Sequence, residues 1–99
     1  MAQPVAFAPV SSQGRWTIQV GAFATLSIAE ATAKAAQSAA PDLLQTTKIE
    51  LPATWPLGTQ VAFRARLSGL SQAAAVEACS RLTRQGSACI TVPPSRDTF

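Results

Sequence analysis

From Trp16 to Ala22 the chain reads Trp-Thr-Ile-Gln-Val-Gly-Ala. Trp16, Ile18, Val20 and Ala22 share one parity; Thr17, Gln19 and Gly21 share the other. That alternation predicts a strand with one face buried. Leu26 to Ala40 holds nothing that breaks a helix, Ser27 with Glu30 fits a capping box, and Pro41 stops the run. Thr46 to Leu51 alternates again, with Ile49 and Leu51 on one side and Lys48 and Glu50 on the other. Pro52 to Gly58 is rich in turn residues and reads as a loop carrying Trp55. Thr59 to Leu67 is the clearest strand: Val61, Phe63, Ala65 and Leu67 face one way, Ala62, Arg64 and Arg66 the other. Ser68-Gly69 ends it. Ser71 is a helix N-cap for Gln72 to Gln85, where Ala75, Cys79 and Leu82 form the buried stripe and Arg81 and Arg84 complement the helix dipole. Gly86 caps that helix, and Ala88 to Val92 makes a last short strand.

The element order is β-α-β-β-α-β, with a strand followed by an alanine-rich helix in each half. This predicts an α+β fold, a split βαβ sandwich with a four-stranded antiparallel sheet and two helices on one face. The other face is left bare. Thr17, Gln19, Arg64 and Arg66 carry the parity that puts them there.

Composition narrows the function. The chain has 99 residues, enough for one small domain, and 20 of them are alanine, which supports helices but buries little area. There is no histidine, so neither a Ser-His-Asp nor a Cys-His nucleophile pair exists, and two cysteines cannot build a four-cysteine zinc site. No glycine-rich phosphate cradle occurs, and no two acidic residues are spaced for glycosidase chemistry. The residues point to a binding module with no catalytic residue, metal or cofactor. The net charge of +3 permits anionic partners without demanding them. Residues 1–14, with Pro4, Pro9 and Gly14, read as a linker, 15–92 as the domain and 93–99 as a tail. The ends fit a domain taken from a longer protein, Met1 being an added start and the tail the end of the parent; a native short protein is the rival reading. No signal peptide or membrane-spanning run is present in the sequence.

The residues resemble a known family. Trp16-Thr17-Ile18-Gln19-Val20-Gly21-Ala22-Phe23 is similar to the opening of a SPOR domain, an aromatic followed by Val/Ile-Gln-x-Gly-[Ala/Ser]-Phe. Phe63-Arg64-Ala65-Arg66-Leu67 resembles its third strand, and Ala75, Cys79, Leu82, Gly86 and Cys89 its closing stretch. Where the family has Val-Gly-Pro after the third strand, this chain has Leu67-Ser68-Gly69, with the glycine displaced by one. The resemblance spans about Arg15 to Val92 and implies the same fold. It also implies binding to peptidoglycan glycan strands lacking stem peptides, which recruits the parent protein to the division septum. Arg-Ala-Arg-Leu-Ser-Gly-Leu and Ala-Pro-Asp-Leu-Leu most resemble the C-terminal SPOR domains of alphaproteobacterial D-alanyl-D-alanine carboxypeptidases. A periplasmic, monomeric domain is expected.

The resemblance places Gln19 and Arg64 at glycan-contacting positions, with Arg66 and Thr17 sharing their face. An amide donates and accepts, as N-acetyl groups and sugar hydroxyls require; a guanidinium can grip the lactyl carboxylate that a removed stem peptide leaves free. Trp55 is a candidate sugar platform in its loop, whereas Trp16 has core parity, and Phe23 and Phe63 are read as core residues. Ala22 replaces a serine that touches glycan in some members. In an oxidising periplasm Cys79 and Cys89 would form a disulfide; two free thiols and a redox site are the alternatives, the last without a CxxC motif. Competing functions are a protein–protein module of a cell-envelope complex and an ACT-type regulatory domain. A nucleic-acid binder would need aromatics on the open strand positions, where this chain has Gln19, Arg64 and Arg66.

Overall fold

A computed structural model of the chain describes residues 14–58 and 60–94. The predicted linker before Gly14 and the tail beyond Pro94 lie outside the described residues. The elements are β1 (Trp16–Phe23), α1 (Leu26–Ala39), α2 (Pro41–Leu44), β2 (Lys48–Glu50), β3 (Ala53–Leu57), β4 (Gln60–Leu70), α3 (Gln72–Arg84) and β5 (Ile90–Val92). The sheet runs β2-β4-β1-β5, all antiparallel, with β3 also on β4. The α+β architecture is therefore the one the sequence predicts, with five strands where four were expected.

The extra strand corrects the reading of Pro52–Gly58 as a loop. Glu50 pairs with Arg66 and Ala53 with Phe63, so β2 and β3 hold one register along β4. They are a single edge strand interrupted at Pro52. The Pro52 carbonyl accepts from the Arg64 amide (3.0 Å), but proline has no N–H to return. Two prolines disguised an extended segment, and the turn is confined to its far end, at Gly58.

Two bulges correct the strand parities. On β1, Gln19 pairs with Arg66 and Gly21 with Ala65, leaving Val20 as an extra residue. Ile18 and Val20 are both buried as predicted, but alternation then resets. Ala22, expected on the buried parity, is exposed and stands opposite Arg64. Gly21 adopts φ 151°, and a Cβ there would lie 2.6 Å from the Phe23 ring. On β4, Trp16 pairs with Leu70 and Thr17 with Ser68, so Gly69 is the extra residue, at φ 96°. The strand thus continues past Ser68-Gly69 instead of ending there, because glycine accepts the left-handed backbone that the bulge requires.

The core lies between the sheet and the helices. Ile18, Leu44, Leu67, Leu70 and Leu82 are its large, fully buried members, and eight of its fifteen buried residues are alanines. Ala75, Cys79 and Leu82 line α3, as the periodicity predicts, together with Ala74 and Ala78, and Ala29, Ala33 and Ala36 line α1. Ser71 Oγ accepts from Ala74 N (3.1 Å) at the start of α3. The predicted Ser27–Glu30 box does not form. The α1 N-cap is Thr25, which makes no side-chain bond, so Ser27 already lies inside the helix, and Glu30 pairs with Lys34 instead (3.3 Å). Pro41 ends α1 and opens the single turn of α2. Cys79 and Cys89 form a disulfide that ties α3 to the approach to β5.

Candidate functional site

The helices pack against one face of the sheet, and no described helix or strand covers the other. Directly paired residues on antiparallel strands point to the same side, so the register maps the open face in rows. The first row is Val92, Thr17, Ser68 and Lys48. The second is Ile90, Gln19, Arg66 and Glu50. Ala22 and Arg64 follow, then Ala62 with Thr54. Thr17, Gln19, Arg64 and Arg66, singled out from sequence parity, therefore do share this face.

Two of them are bonded to each other. Arg66 Nε donates to Gln19 Oε1 at 2.9 Å across the β1–β4 pair. The bond occupies the amide oxygen, which leaves the Gln19 NH₂ as the group available to a ligand. It also leaves the two Nη groups of Arg66 as a free fork, with the plane of the guanidinium fixed. The Arg64 guanidinium, two residues along, has no hydrogen-bond or ion-pair partner among the described residues. The face as a whole is rich in donors. Lys48, Arg64 and Arg66 stand against the single carboxylate of Glu50, an arrangement suited to carbonyl and carboxylate oxygens.

Trp55 is 59% exposed on the β3–β4 hairpin, beyond the Ala62–Thr54 row and within the register shift between Thr54 and Leu57. Phe23 and Phe63 pair opposite each other and pack on the core, as does part of Trp16. Sequence reasoning missed Ile90 and Val92, which bring aliphatic surface beside Gln19 and Thr17. The available signal was the outward parity of Ile90 and Val92 around Thr91, but using it requires the β1–β5 register. Among the described residues no group of three or more His, Cys, Asp or Glu could hold a metal ion, and no helix is long and apolar enough to cross a membrane.

The model of the SPOR domain family matches residues 12–93, most of the chain. The chain belongs to the SPOR domain family. SPOR domains are non-catalytic peptidoglycan-binding modules, which makes this domain a cell-wall binding module and not an enzyme. The fold agrees with two solved structures. The crystal structure of the RlpA SPOR domain from Pseudomonas aeruginosa matches with a TM-score of 0.63 at 18% identity, covering 80% of this chain and 99% of that one. The solution structure of the peptidoglycan binding domain of the B. subtilis cell wall lytic enzyme CwlC matches with a TM-score of 0.55 at 19% identity, covering 90% and 100%. At the level of sequence, no curated protein gives a significant match. In this SPOR domain the displaced glycine of the third strand is Gly69, which the fold absorbs as a bulge.

Proposed function

We propose that this SPOR domain reads peptidoglycan glycan strands that have lost their stem peptides, through the open face of its sheet. The observation that supports this most is the unpartnered Arg64 beside the Gln19–Arg66 pair on an uncovered surface. Removing a stem peptide leaves a lactyl carboxylate on each N-acetylmuramic acid. Arg64, with the free fork of Arg66, offers paired donors to that group, and the Gln19 NH₂ offers a donor to an N-acetyl carbonyl. Thr17, in the next row, adds a hydroxyl for sugar oxygens. An intact stem peptide converts the carboxylate to an amide, which removes the charge that the guanidinium grips. The domain acts as a periplasmic monomer and holds its parent, a D-alanyl-D-alanine carboxypeptidase, at the septal wall. The disulfide is consistent with an oxidising compartment.

Co-sedimentation with purified sacculi, before and after an amidase has removed the stem peptides, tests the reading. Stronger pelleting with stripped sacculi is expected. Equal pelleting with both would overturn the preference for bare strands, and pelleting with neither would overturn glycan binding itself.

A further inference from the structure

At the outer edge of the sheet, two strands from the arginines of β4, α3 and β5 form the walls of an open groove of about 610 Å³. Val76, Ser80, Thr83 and Arg84 line it from α3, Ile90 and Thr91 from β5. The Cys79–Cys89 disulfide joins the two walls, so the groove is preformed. Val76 and Ile90 are 53% and 58% exposed, which leaves apolar surface on both sides. β5 pairs only with β1, so among the described residues its other edge has no strand beside it. Such an edge offers N–H and C=O groups to any extended chain. The charge is equally specific. Arg84 is the only charged residue in the lining, and among the described residues it has no carboxylate partner. Its neighbour Arg81 is taken up by Asp42 and Glu77.

We propose that this groove binds an extended peptide segment bearing a carboxylate, which adds to β5 as a further strand. The peptide backbone bonds the free edge of β5, an apolar side chain seats between Val76 and Ile90, and the carboxylate meets Arg84. A second copy of the chain fits less well, because its own β5, Ile-Thr-Val, brings no carboxylate to Arg84. Ile90 also ends the Gln19–Arg66 row, so the groove borders the open face; Val76, Thr83 and Arg84 lie on α3 outside it and clear of Arg64 and Arg66.

The test is an NMR titration of the ¹⁵N-labelled chain with an acetylated, amidated hexapeptide of alternating threonine and valine carrying one central glutamate. Two controls replace the glutamate by lysine or methylate alternate backbone nitrogens. Saturable shifts are expected in residues 76–84 and 89–92 but not in 64–66. Binding should fall about tenfold for the lysine peptide, a loss of about 1.4 kcal/mol, and disappear on N-methylation. Arg84→Glu, an exposed change, should reverse the charge preference and still sediment with stripped sacculi, which separates this site from glycan binding. Equal affinity for both peptides, shifts confined to the open face, or no shift at millimolar peptide would each overturn the proposal. So would concentration-dependent shifts of β5 without peptide, which would seat a second copy there.

Discussion

Arg64 and Arg66 lie two residues apart on one strand and one face, but only Arg66 is tied down, by Gln19. Arg64→Ala should therefore leave thermal stability unchanged and weaken pelleting with stripped sacculi tenfold or more, since a charge-assisted hydrogen bond contributes about 1.5–3 kcal/mol. Gln19→Glu separates structure from recognition more sharply. A carboxylate there pairs with Arg66 at least as well as the amide, so the melting temperature should hold, while binding falls because the face now presents an anion to an anion. A Gln19→Glu protein that pellets like the wild type would remove Gln19 from the site. A third residue-scale prediction concerns Asp42, which takes two hydrogen bonds from Arg81 (2.7 and 2.9 Å). Those bonds hold its carboxyl below the ordinary value of 3.8. The folded state thus gains stability from this group above the unfolded value and loses it as pH falls through the depressed folded one. Asp42→Asn should flatten the acid limb of a melting-temperature profile below that value and leave neutral-pH binding alone. Parity was enough to bring Thr17, Gln19, Arg64 and Arg66 to one face. The Gln19–Arg66 bond and the Asp42–Arg81 clasp were not legible, because each joins residues about 40 or more positions apart.

At the scale of elements, the sequence showed both long helices and the buried parity of β1 and β4, because each carries a strong period. It failed where an extra residue resets that period. Nothing local in Gln19-Val20-Gly21 says that Val20 has no partner, so unbroken alternation puts Ala22 on the wrong side. Pro52 and Pro56 likewise hid β3, whose existence depends on the register with β4. The two bulges nevertheless differ in what they tolerate. At Gly69 a Cβ would meet nothing within 4 Å, so Gly69→Ala meets backbone strain alone, about 1–3 kcal/mol. At Gly21 the same change must also displace the Phe23 ring. Chemical denaturation should show Gly21→Ala as the more destabilising of the two, and the reverse order would mean that the Phe23 ring yields freely.

For the whole molecule, a core built so heavily from alanine gives little stability to spare, and the disulfide compensates. Closing a loop of this length contributes about 2–3 kcal/mol in the chain-entropy account. Replacing Cys79 and Cys89 together by serine should lower the melting temperature by roughly 10–20 °C. A much smaller change would show that the α3–β5 junction is held by packing. The even cysteine count and the helical stripe made this pairing legible in outline; the groove beside it was not, since it is formed by two elements that meet only in the fold. The β1–β5 pairing has one more consequence. Thr17 stands opposite Val92, so the folded part begins and ends at the same corner of the sheet. A domain with neighbouring ends can be spliced into a surface loop of another protein, or have its ends fused and be cut open elsewhere, without rewiring its core. A circular permutant joined across that corner by a short glycine-serine bridge and opened at the β3–β4 turn should fold and sediment with stripped sacculi. The sheet would then be a portable wall-binding cassette whose attachment point lies at one corner and whose central rows stay clear of the tether.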